Sequence, residues 1–167
     1  MNTIDRKIVR IGAKTSICAK YLRPKYSKPD GEYTKIVDVK YDRKVVRRMK
    51  PVNIKWIIEL KKRPDTMLFA SICYKCGNSS KLIFVDKWCG WLSNLPRGAC
   101  ALDAIHFAEG ENNKVIRTRI TFNKVGLHII SVGTHILKYY SPKEGGGTYQ
   151  LRYVPDVWIN LPIIVVF

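Results

Sequence analysis

Acidic side chains are scarce in this chain, with 13 Asp and Glu against 30 Lys and Arg in 167 residues. Histidine is scarcer still. His106, His128 and His135 fall into no metal-ligand or catalytic spacing. Asp103 and His106 stand three apart, with no nucleophile indicated beside them. There is no H-E-x-x-H, no nucleophile elbow and no paired-carboxylate pattern. Gly145-Gly146-Gly147 lacks the Lys-Ser/Thr of a phosphate loop and reads as a hairpin tip. These absences argue against an enzyme, and no catalytic residue is assigned. Long apolar runs are missing too. The longest, Leu161–Phe167, is strand-sized, far short of the ~18 residues of a membrane span. Met1–Lys14 is charged and lacks the apolar core of a secretory signal, so a cytoplasmic or virion setting is expected. Asn78-Ser79-Ser80, a glycosylation pattern, carries no weight without such a route. Gln150 is the only glutamine, a bias that a heat-adapted source or an AT-rich genome would equally produce.

What is present is positive charge, unevenly spread. The formal net charge is +17. Residues 1–63 hold 19 of the basic and six of the acidic residues, a net of +13, which leaves +4 for the remainder. A one-ended excess of this kind suits a polyanion or an acidic protein surface, although a solvated basic face would also aid solubility.

Residues 1–50 read as a basic N-terminal arm. Ile4, Ile8 and Ile11 recur at helical spacing, a Pro- and Lys-rich stretch follows, and Val37, Val39 and Tyr41 alternate as one short strand. The candidate contacts to nucleic acid or to neighbouring subunits are Arg6, Lys7, Arg10 and Lys14, then Arg43, Lys44, Arg47, Arg48 and Lys50. Tyr21, Tyr26, Tyr33 and Tyr41 are interleaved with these charges. They could stack on bases or pack the arm onto the fold.

Residues 51–167 read as an antiparallel β-sandwich. Ile54, Trp56, Ile58 and Leu60 alternate with polar neighbours, and so do Ile116, Thr118, Ile120 and Phe122. Met67–Tyr74 is apolar on both faces, as a central strand is. Leu82–Val85, Leu127–Val132, 135–140, 149–154, 157–159 and 163–167 complete about eight short strands with turn signals between them. Lys87–Asn113 reads as irregular, with a short helix over Ala101–Ala108. The expected core is Trp56, Ile58, Phe69, Ile120, Phe122 and Ile130.

Ile120-Thr121-Phe122-Asn123-Lys124-Val125-Gly126-Leu127-His128-Ile129-Ile130 resembles a recurring piece of immunoglobulin-like sandwiches. There an apolar strand end turns through Gly into a strand that opens with a buried Tyr. His128 stands at that Tyr position, and an imidazole can still donate the corner hydrogen bond. The layout as a whole, a basic arm before a compact sandwich, resembles small viral coat proteins, often jelly rolls. That resemblance implies an arm on genome or neighbouring subunits and a sandwich that tiles a shell.

The cysteines are the sharpest local feature. Cys73-Tyr74-Lys75-Cys76-Gly77 has the form of a zinc knuckle, and Cys89 and Cys100 could complete a four-thiolate site. One or two disulfides, or inert buried thiols, fit the same residues. Cys18 reads as free. Zinc is the one cofactor on offer. The residues thus point to a structural subunit of a larger homo-oligomeric assembly, a capsid, coat or tail protein of a virion, with nucleic acid and other virion proteins as partners. The alternatives are a zinc-stapled nucleic-acid-binding protein and a host-interaction module on an immunoglobulin-like scaffold.

Overall fold

A computed structural model describes residues 18–78, 81–88, 92–140 and 150–167. Among the described residues, ten strands form two five-stranded sheets. The first sheet contains β1 (Thr34–Tyr41), β3 (Val52–Leu60), β5 (Lys81–Trp88), β6 (Leu92–Pro96) and β8 (Asn113–Thr121), in the order β1-β3-β8-β5-β6. The second contains β2 (Val45–Arg47), β4 (Leu68–Cys76), β7 (Cys100–Ile105), β9 (Gly126–Tyr140) and β10 (Gln150–Val166), in the order β2-β10-β9-β4-β7. All pairings are antiparallel except the short β2–β10 contact, which is parallel. The protein is an all-β sandwich.

Alternation places the core between the sheets. Val52, Ile54, Trp56 and Ile58 of β3 point inward to meet Ala70, Ile72 and Tyr74 of β4 and Ile130 and Val132 of β9. Trp56 stacks on Trp88 at 5.9 Å, and Phe122 meets Tyr74 edge-on at 5.9 Å. Trp56, Ile58, Ile120, Phe122 and Ile130 are each at most 1% exposed. Phe69 is a correction to the expected core. Leu68, Ala70 and Ile72 take the inward positions of β4, so Phe69 lies on the outer face against Tyr153, 5.4 Å away.

Several boundaries also differ from the sequence pattern. The expected helix over Ala101–Ala108 is replaced by β7, which pairs with β4 from Leu68↔Ile105 to Cys73↔Cys100. Strand pairing overrides the helix propensity of its alanines. The segments expected as separate strands after residue 126 merge into the hairpin β9–β10. Pro155 and Pro162 are accommodated because β2 pairs only with Ile164–Val166. Both prolines also lie outside the Lys28–Trp158 bridge that covers the middle of the same flank, so proline costs no ladder bond there. Gly133 sits where β10 shifts register between Pro155 and Val157, and a Cβ there would collide with the Val157 carbonyl.

The segment read as an arm supplies two strands rather than one. Ile36 and Val46 are buried in the core, and that burial draws β1 and β2 onto opposite sheets. The loop before β1 is clasped by Asp156, whose buried carboxylate accepts the backbone N–H groups of Glu32 and Thr34 at 3.0 and 2.8 Å. It also accepts the Thr34 hydroxyl at 2.6 Å. Upstream, two short 3₁₀ turns, Ala19–Leu22 and Pro24–Tyr26, lie on the outer face of the second sheet.

Candidate polyanion-binding face and crosslinked strand

β3 turns its apolar side chains inward, so Asn53, Lys55 and Glu59 must face out. Register then decides which charges meet. Lys40 of β1 lies opposite Lys55, and Lys55 lies opposite Arg117 of β8. Three cations thus form one rung across three neighbouring strands. Arg119 is opposite Asn53 on the next outward rung. Like charges directly opposite each other destabilise a sheet. Compensation is partial among the described residues: Lys40 approaches Asp38 at 3.9 Å, Asp42 is engaged with Asn53, and Asp42 and Asp86 line the same groove as the cations. A groove of about 990 Å3 runs along this rung, bordered by Lys40, Lys44, Lys55, Arg117 and Arg119, with Tyr41 and Trp88 also lining it.

Of the cations singled out in the sequence, Arg43, Lys44, Arg47, Arg48 and Lys50 are all exposed on the crossover from β1 to β2 and just beyond it. Lys44 borders the groove and lies over the Tyr41 ring at 5.9 Å. Arg6, Lys7, Arg10 and Lys14 lie outside the described residues. Lys40, Lys55, Arg117 and Arg119 were missed as a cluster because they are far apart in sequence. Alternation signals that each faces outward, but only register reveals that they align.

The cysteines form staples. Cys73 is bonded to Cys100 on the adjacent strand, with Cα atoms 4.0 Å apart. Cys76 is bonded to Cys18, 58 positions away, with Cα atoms 5.7 Å apart. Cys18 is therefore not free. Cys73 and Cys76 belong to different crosslinks, so they do not share a four-thiolate centre in this structure, and Cys89 lies outside the described residues. A register shift in β4 between Tyr74 and Cys76 separates the two. It directs Cys76 into a small apolar cluster with Cys18, Leu127, Ile129 and Ile164.

His128 shows how the corner is closed. One ring nitrogen, Nε2, is 2.8 Å from the Lys124 carbonyl, which can only accept. Nε2 therefore carries the proton, and Nδ1 must accept from the Tyr74 hydroxyl at 2.7 Å. Burial pushes the ring down to about 4, partly opposed by the Lys124 bond. The neutral tautomer is thus fixed. Gly77 lies against both groups, and a Cβ there would strike the Tyr74 hydroxyl and the His128 ring.

A smaller pocket of about 200 Å3 lies on the outer face of the second sheet, beside Tyr21 and Tyr26. Lys75, His135 and Cys73 line it. Burial lowers the Lys75 ammonium, and burial with Lys75 nearby pushes His135 down to about 4.

No protein-family model matches the chain, and no curated protein matches it in sequence. Among solved structures, it is similar to a conjugative transposon lipoprotein from Bacteroides eggerthii. The identity is 15% and the TM-score 0.33, over 72% of this chain and 93% of the other. A likeness of this extent carries no argument about function. Among the described residues no helix is long and apolar enough to cross a membrane.

Proposed function

We propose that this chain is a structural, nucleic-acid-binding subunit of a larger assembly, and that its outer cationic face contacts the polyanion. The observation that carries the reading is the rung Lys40–Lys55–Arg117, where like charges are held in register across three strands. A fold that retains this repulsion gains when an anion sits over it. Phosphates neutralise the cations and release counterions. The groove and the exposed cluster Arg43–Lys50 extend the same charge, and Tyr41 offers a ring to it. A virion is the setting we favour. Disulfides persist on virions and in oxidising compartments and are uncommon in a reducing cytoplasm, which supports this choice over a cytoplasmic one.

Binding of labelled single- and double-stranded oligonucleotides, titrated at graded salt, tests the contact. Particle sizing at low and high salt tests the assembly. The expected result is salt-dependent binding that weakens when Lys40, Lys55 and Arg117 are replaced together by Gln, and particles larger than a monomer at low salt. Binding that is absent, or unchanged in the triple variant, overturns the nucleic-acid role. A monomer under every condition, with and without oligonucleotide, overturns the assembly role.

A further inference from the structure

The outer face of the second sheet holds a separate cluster of soft ligands. Side-chain ligand atoms of Cys73, Cys100 and His135 lie within 4.8 Å of one another. Three adjacent strands supply them: β7 sets Cys100 opposite Cys73 on β4, and β9, paired to the other side of β4, supplies His135. His135 is 9% exposed, and its Nδ1 has no hydrogen-bond partner among the described residues. An imidazole nitrogen buried without a partner is costly, so its place beside two sulfurs invites a ligand. Lys75 lines the same pocket and has no acidic partner among the described residues.

We infer that opening the Cys73–Cys100 disulfide converts this cluster into a site for a thiophilic monovalent metal ion, Cu+, held by the two sulfurs and a His135 nitrogen. The reductant is a dithiol. Its thiolate attacks the sulfur of Cys100, which is exposed on the edge strand β7, and Cys73 leaves as a thiolate. The second thiol of the reductant then attacks the mixed disulfide and releases Cys100. The reductant ends as a disulfide, and two electrons have passed to the protein sulfurs. Binding of the ion releases any proton still on either thiol; the imidazole binds neutral. Thiolates select soft ions such as Cu+ and Zn2+. Charge favours the former. Two thiolates, a neutral imidazole and Cu+ carry one net negative charge, which the Lys75 ammonium offsets. With Zn2+ the centre is neutral, and Lys75 has nothing to balance.

The test uses the full chain, anaerobically, with Cu+ supplied through the competing chelator bathocuproine disulfonate. The chain reduced by a dithiol and freed of it should withdraw Cu+ from the chelator, and the oxidised chain should not. Cys100→Ser, at an exposed position, and His135→Gln should each weaken uptake more than about tenfold. Copper X-ray absorption on the reduced wild type should report a nitrogen beside two sulfurs, which decides the matter even if His135→Gln fails to fold. The inference is overturned if the reduced chain takes up no Cu+, if Cys100→Ser leaves uptake unchanged, or if the absorption spectrum contains sulfur alone.

Discussion

Lys55→Gln separates a functional charge from a structural one, because the two roles predict opposite changes in stability. Lys55 stands between Lys40 and Arg117, so one substitution removes both like-charge contacts of the rung. A directly opposed pair on a sheet is worth about 0.2–1 kcal/mol. Relieving two should stabilise the fold by ~0.4–2 kcal/mol at low salt. For a domain of this size that raises the melting temperature by roughly 1–8 °C. The gain should shrink as salt rises toward 1 M, where the screening length falls to ~3 Å. Nucleic-acid binding should move the other way. Losing one phosphate contact should lower the slope of log affinity against log salt by about 0.9 on duplex or about 0.7 on single strands. Thermal melting at two salt concentrations and fluorescence polarisation across a salt series read both quantities on one preparation. A variant that melts lower than wild type at low salt and keeps the wild-type slope refutes the reasoning.

Four other outcomes follow from the packing. Phe122→Ala should cost ~3–5 kcal/mol in denaturant unfolding, because the ring is 1% exposed between Tyr74 and His128. Gly133→Ala should cost more than ~3 kcal/mol or abolish folding, since its methyl meets the Val157 carbonyl; soluble expression and melting read this. Stability should fall with pH from about 6.5 to about 4. Unfolded His128 takes up a proton in that window and the folded ring, held neutral, does not. His128→Phe should remove its share of that slope, up to ~1.4 kcal/mol per pH unit, while lowering stability at neutral pH by removing the ring's hydrogen bonds to the Tyr74 hydroxyl and the Lys124 carbonyl. Cys18→Ser should cost ~2–4 kcal/mol by freeing a crosslink that spans 58 positions, as measured against the oxidised wild type.

The sandwich was legible where one face of a strand is wet. β3 and β8 alternate cleanly, and their inward residues Trp56, Ile58 and Ile120 are buried, as is Phe122 just beyond β8. Legibility failed where local signals are overruled from a distance. Gly133, Pro155 and Pro162 are breakers by their own chemistry. They sit inside long strands because a neighbouring backbone needs the space at Gly133 and no partner strand covers most of the β10 edge. Phe69 was misplaced because β4 is apolar on both faces, which leaves its inward side undetermined by periodicity. The basic cluster Arg43–Lys50 was visible as a run. The rung was not, because Lys40, Lys55 and Arg117 come from three strands and align only through register.

The C-x-x-C segment shows why a motif needs its backbone. Ligation by both thiolates requires the chain to turn so that they converge. Here β4 continues through Cys76, with only a register shift after Tyr74. Cys73 is therefore left facing the neighbouring strand, and Cys76 meets the segment that lies over the outer sheet face. Tyr74, between them, reaches the opposite way into the core to hold His128. One strand thus fastens three elements: β7 through Cys73, the start of β9 at His128 through Tyr74, and the residue 18–26 segment through Cys76. Fastening that segment sets Tyr21 and Tyr26 beside His135 and Lys75, so the second pocket depends on the crosslink to Cys18 as much as on the sheet beneath it.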